Sequence, residues 1–92
     1  MKEPSARVNP SRDIANWPNE PIDDPVREVA RRFVLNLLAA MGEESRRSIA
    51  MKVDLDTNTL KRILNGDVWP DMNTIAKLED KLEADLWPGR IR

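Results

Sequence analysis

Residues 45–66 read SRRSIAMKVDLDTNTLKRILNG, and the order of cap, small and apolar positions in this stretch decides the fold. Ser45 can accept a hydrogen bond from the first turn of a helix. A short helix over 46–53 then turns Ile49, Ala50 and Val53 inward. Asp54-Leu55-Asp56 breaks it. Asp56 caps a second short helix, from 57 to about 65, with Leu60, Ile63 and Leu64 inward and Gly66 as terminator. Ala50 stands where the two helices must cross closely and a small side chain is needed. Asp54 follows at the turn, and Leu60 and Ile63 pack the second helix back on the first.

Working outward, Asp24-Pro25 opens a helix on the N-terminal side, because proline at the first helical position gives up an N–H that has no partner there. Val26, Val29, Ala30, Phe33, Leu37, Leu38 and Met41 recur at helical spacing, with Arg27, Glu28, Arg31 and Arg32 on the opposite, solvent-facing side and Gly42 as the stop. On the C-terminal side, Pro70-Asp71 opens a fourth helix in which Met72, Ile75, Ala76, Leu78 and Leu82 face inward. Ala84-Asp85-Leu86-Trp87-Pro88 adds one more turn and a large apolar plug. No segment alternates with period two for long enough to form a strand. The reading is all-α: a compact four-helix bundle plus a short C-terminal turn, preceded by an irregular arm.

That arm is set apart by proline. Five of the seven prolines lie at Pro4, Pro10, Pro18, Pro21 and Pro25, among Asn, Ser, Asp, Glu and Arg with no sustained period. The division is therefore 1–24 arm, 25–88 helical domain and 89–92 tail. Trp17, Val8 and Ile14 are the expected apolar anchors of the arm. A loose tail and a segment packed on the domain or on a second subunit both fit them.

Composition removes several classes of function. The 92 residues contain no Cys and no His, so disulfides, thiolate metal sites and imidazole chemistry are excluded. The paired carboxylates Asp54 and Asp56 are better read as turn and cap residues than as an acid–base pair. No enzyme activity, cofactor or metal is expected. No apolar run approaches the length of about 18 residues that a membrane span needs. The start also lacks a signal-peptide core, so the expected location is cytoplasmic, on the nucleoid.

Two very short helices joined by a tight turn, between two longer ones, form a helix-turn-helix, whose second helix lays its N-terminal side chains in the DNA major groove. Over residues 25–88 the chain resembles the lambda-repressor-like (xenobiotic-response-element type) DNA-binding domains, most strongly over 45–87. The residues that carry the likeness are Ser45-Arg46-Arg47-Ser48-Ile49-Ala50, the run from Leu55 to Gly66, Trp69-Pro70-Asp71 and Thr74-Ile75-Ala76-Lys77-Leu78-Glu79. Together with Trp69-Pro70, the ending Asp85-Leu86-Trp87-Pro88 is similar to small regulators of actinobacteria and their phages. The family usually has glycine where this chain has Asp54 and Glu83, and often an acid where it has Leu64. Its longer fifth helix, often used in dimerisation, is here a stub.

The resemblance implies that the first exposed positions of the second short helix reach base edges: Thr57 and Asn58, with Lys61 and Arg62 one turn on. The chemistry fits, since Asn pairs with adenine, Arg with guanine, and the Thr methyl meets that of thymine. Arg46, placed by the resemblance beside the DNA backbone, Arg47 and, more weakly, Asn65 with the Gly66 backbone are the phosphate candidates. For either arginine the competing reading is a surface ion pair with Glu43 or Glu44. Trp69 and Trp87 are read as core caps rather than base-stacking platforms.

Charge is unevenly laid out. The net charge of the whole chain is −1, yet residues 45–66 carry five bases against two acids, while residues 67–87 carry six acids against two bases. A basic field this small predicts weak binding by a monomer. Useful affinity then needs a homodimer, a co-encoded protein partner, or help from Lys2, Arg7 and Arg12 of the arm. Double-stranded DNA is the expected partner, with steric repression of a promoter as the expected action. The alternative is a protein-interaction module of the same fold, such as an antitoxin or phage adaptor.

Overall fold

The computed structural model describes residues 8–91; Lys2 and Arg7 lie outside the described residues. Among the described residues four helices occur in order: α1 (Pro25–Met41), α2 (Arg46–Val53), α3 (Thr57–Leu64) and α4 (Met72–Leu82). Each begins at a side-chain cap. The Asp24, Ser45, Asp56 and Asp71 oxygens accept from the N–H groups of Val26, Ser48, Asn58 and Thr74, at 3.0, 3.0, 3.2 and 2.8 Å. Such caps satisfy donors that the first helical turn leaves unpaired. Two helices end on non-glycine residues in the left-handed region, Asp54 (φ 64°) and Glu83 (φ 51°). Aspartate is among the residues that tolerate this conformation best.

One apolar core unites the elements. Phe33 and Leu37 from α1, Ile49 from α2, Leu60 from α3, Leu78 from α4 and Leu86 from the tail are all fully enclosed. α2 packs on both α3 and α4, and α1 packs on α3. Lys77 Nζ donates to the Asp54 carbonyl at 2.9 Å, so α4 holds the α2–α3 turn directly.

The inward faces need correction at their edges. On α1 the buried stripe runs Val29, Ala30, Phe33, Val34, Leu37 and Met41, whereas Val26 is 64% exposed and Leu38 lies at the rim. On α4, Met72 is 85% exposed and Ala76 is also exposed; Leu78 alone is fully buried. Val26 and Met72 lie in the first turns of α1 and α4, each beside a groove that Trp87 also lines. Residues 84–91 form an irregular strap instead of another helical turn. Glu79 Oε2 holds it, accepting from the N–H groups of Leu86 (2.8 Å) and Trp87 (2.9 Å), while Asn36 Nδ2 donates to the Leu86 carbonyl (2.8 Å). Those two N–H groups, Trp87's first, keep the Glu79 carboxyl below the usual glutamate range. The Trp87 ring lies 5.8 Å from Phe33 yet remains 42% exposed, so it closes the core only in part.

The largest departure concerns Glu28, expected on the solvent face and found buried. Its carboxylate accepts from Arg31 Nη2 (2.6 Å), Arg32 Nε (2.9 Å) and the Ile22 N–H (3.0 Å). The arm covers part of this face, so Glu28 and Arg31 are paired inside the protein, while the Arg32 side chain stays half exposed. Arg31 donates to the Pro18 carbonyl at 2.9 Å, and Arg27 to the carbonyls of Pro10 and Arg12. Of the two readings left open for the arm, residues 8–24 take the packed one.

Candidate nucleic-acid interface

α3 and its C-cap Asn65 present Thr57, Asn58, Lys61, Arg62 and Asn65 at spacings of one, three and four residues, which on a helix form one stripe. All five are on the outer side, because Leu60, Ile63 and Leu64 are drawn into the core on the other. Arg46 and Arg47 are exposed in the first turn of α2, where the helix dipole favours an anion. The left-handed turn at Asp54 joins the two helices: its N–H donates to the Met51 carbonyl, and the Leu55 N–H reaches back to that of Ala50 at 2.8 Å.

Among the described residues, Arg46, Arg47, Lys61 and Arg62 enter no ion pair. The competing pairing with Glu44 is not formed, since Lys52 Nζ lies 3.0 Å from Glu44 Oε2 and Ser48 Oγ donates to Glu44 Oε1. The Lys52 ammonium, then the Ser48 hydroxyl, hold the Glu44 carboxyl below its ordinary range. No described acid therefore occupies any of the four cationic heads.

The Gly66 backbone is not free to hold a phosphate. Its N–H donates to Ile63 O at 3.0 Å, and its carbonyl accepts from both the N–H and the Oγ of Ser11, at 3.1 and 2.9 Å. The Asn65 N–H is likewise turned to Lys61 O, leaving only its exposed side chain for a ligand. Trp17 Nε1 donates to Leu64 O at 2.9 Å, and Trp69 Nε1 to Val8 O at 2.8 Å. The indole of Trp69 thus fastens the arm in place of the core-capping role expected for it; of the tryptophans near this end of α3, Trp17 is the one packed on the core.

The arm therefore satisfies carbonyls at the C-terminal end of α3, a contribution the sequence signals only through Trp17 and Gly66. Gly66 has φ 74°, and an added Cβ would lie 2.6 Å from Ser11 Cβ and 2.7 Å from the Trp17 ring, so glycine is required by conformation and by space together.

Away from α2 and α3, the start of α1, the start of α4 and the tail leave an apolar face open. One groove is lined by Val26, Val29, Trp69 and Trp87, and a second by Met72, Ile75 and the same Trp87. Among the described residues no group of acidic side chains could hold a metal ion, and no helix is long and apolar enough to cross a membrane. Compared with known proteins, the chain matches no family model, no curated sequence and no solved structure.

Proposed function

We propose that this chain is a sequence-specific double-stranded DNA binder acting as a small bacterial or phage transcriptional regulator, a repressor that occludes its promoter. α3 enters the major groove, where Asn58 and Arg62 read base edges, Thr57 meets a thymine methyl and Lys61 shares base and phosphate contact. Arg46 and Arg47 hold backbone phosphate. The observation that carries this reading is the set of four cationic side chains, without an ion pair among the described residues, on the exposed sides of α2 and α3, beside an acid already neutralised by Lys52.

The test is enrichment of random-sequence duplexes, then a salt titration on the tightest binder. A recovered palindrome, with affinity falling steeply as salt rises, supports the reading, and half-sites about 34 Å apart or a multiple of that count the subunits. No motif above background at low salt refutes it.

A second reading is favoured by the exposed apolar face at Val26, Met72 and Trp87. On that reading the chain binds a protein, a co-encoded partner or a second copy, and DNA affinity is weak when it is alone. A stable complex with the product of a neighbouring gene, abolished by Met72→Glu, supports it.

A further inference from the structure

The exposed stripe of α3 ends at Asn65, and the surface just past it is built by the other end of the chain. Gly66 comes four residues after Arg62, where the next turn of the stripe would fall, and Ser11 is hydrogen-bonded on top of it. Arg12 is the next residue. It lies within two overlapping turns, closed by Arg12 N–H to Asn9 O (3.1 Å) and Ile14 N–H to Ser11 O (3.0 Å). The backbone there is held from three sides, by Gly66, by Arg27 on the Pro10 and Arg12 carbonyls, and by Trp17 on Leu64. The Arg12 side chain takes no part in this hold and is 65% exposed.

We propose that the turn around Arg12 is a third DNA-contacting element, in which the Arg12 guanidinium grips a backbone phosphate beyond the C-terminal end of α3. The inference rests on the DNA-binding reading above. From Asn58 to Leu64, six residues at 1.5 Å each, α3 runs about 9 Å, and the turn at Asn65 and Gly66 with Ser11 upon it carries the surface further. The major groove is about 12 Å wide. With the N-terminal end of α3 over the bases, the far end arrives at the phosphate wall, where a planar guanidinium is well matched to two phosphate oxygens. One group works against this contact: Asp13 Oδ2 lies 3.9 Å from Arg12 Nε, and its carboxylate is 89% exposed. Two neighbouring charges of opposite sign on one rigid turn make the proposal testable in both directions.

The experiment is equilibrium binding of the full chain to its enriched duplex across a range of salt, for wild type, Arg12→Gln, Asp13→Asn and Arg46→Gln. Neither arm variant disturbs the turn, because the Arg12 carbonyl is untouched and asparagine accepts the φ of 61° at residue 13 as readily as aspartate. Arg12→Gln is expected to lower the log–log salt slope by about 0.9, as loss of one phosphate contact does. Its deficit against wild type then shrinks about 3.5-fold over a fourfold rise in salt, with the preferred sequence unchanged. Asp13→Asn is expected to bind several-fold tighter at low salt. If Arg12→Gln keeps the wild-type slope while Arg46→Gln loses one contact, the turn does not touch DNA and the reading of α2 and α3 stands. If wild type itself shows no salt-dependent duplex binding, both fall together.

Discussion

Replacing Gly66 by alanine tests how tightly the arm and α3 depend on each other. At φ 74° an L-residue carries roughly 1–2 kcal/mol of backbone strain. The new Cβ would also stand 2.6 Å from Ser11 Cβ and 2.7 and 2.8 Å from two Trp17 ring atoms, closer than carbon atoms approach. Ser11 and Trp17 must then lift, giving up hydrogen bonds to Gly66 O and Leu64 O worth about 1 kcal/mol each. The expected loss for Gly66→Ala is about 3–4 kcal/mol, a large share of what a domain this small has to lose. Trp17→Ala should cost about 3 kcal/mol through lost packing and the same indole bond. With the indole gone and the arm loosened, alanine at 66 retains chiefly its backbone strain. The double variant should therefore fall short of the summed singles by about 1.5 kcal/mol or more. Urea unfolding monitored by far-ultraviolet circular dichroism measures this without relying on tryptophan emission. Additivity within about 0.5 kcal/mol would refute the argument, because it would mean that ring and glycine do not meet.

Other parts of the molecule carry their own expected outcomes. The Arg31 hydrogen bond, opposed by burial and reinforced by the Ile22 N–H and by Arg32, holds the Glu28 pKa at about 2 against an ordinary 4.5. Because the folded value is depressed, the stabilisation is complete well above 4.5 and is lost as pH falls through that value toward about 2; at neutral pH it is at most about 3 kcal/mol. Glu28→Gln should remove this part of the acid dependence, which an unfolding series over acid pH will show. Asn58→Ala with Arg62→Ala should abolish preference for the enriched duplex over random DNA at unchanged fold, and retained selectivity would mean that another face reads the bases. Arg46→Gln should weaken binding to all sequences alike and lower the salt slope by about 0.9. Leu86→Ala should cost about 2–5 kcal/mol in thermal or urea unfolding, whereas Met72→Ala, at 85% exposure, should stay within about 0.5 kcal/mol.

Much of the helical frame is legible in the sequence because its signals are local. Asp24, Ser45 and Asp56 act within three residues of themselves, and the helical spacing that brings Phe33, Leu37, Ile49, Leu60 and Leu78 inward needs no knowledge of what lies across the core. Glu28 misleads for the opposite reason. On a helical wheel, Arg27, Glu28, Arg31 and Arg32 form a solvated face; that a proline-rich segment lies over it depends on residues 8–24, whose carbonyls meet the arginines without any sequence period. Val26 and Met72 fit the apolar spacing, but periodicity does not say where the neighbouring elements stop. The candidate interface is legible as a set of positions, since inward Leu60, Ile63 and Leu64 fix which residues of α3 remain outside. The occupation of the Gly66 carbonyl by Ser11 is not, being a contact between residues 55 apart.

The fastening of the arm also bears on the order in which the chain acquires its shape. Its bonds to the end of α3 and the loop beyond span 47, 55 and 61 residues. The helices, by contrast, close on near neighbours, and closure over long separations has to wait for the structure that stabilises it. On a ribosome the arm emerges before the helices, and its longest-range seats, at Leu64, Gly66 and Trp69, are made only after α3. A segment made before the helices thus finishes settling after them, and until it does the carbonyls at the end of α3 stand open.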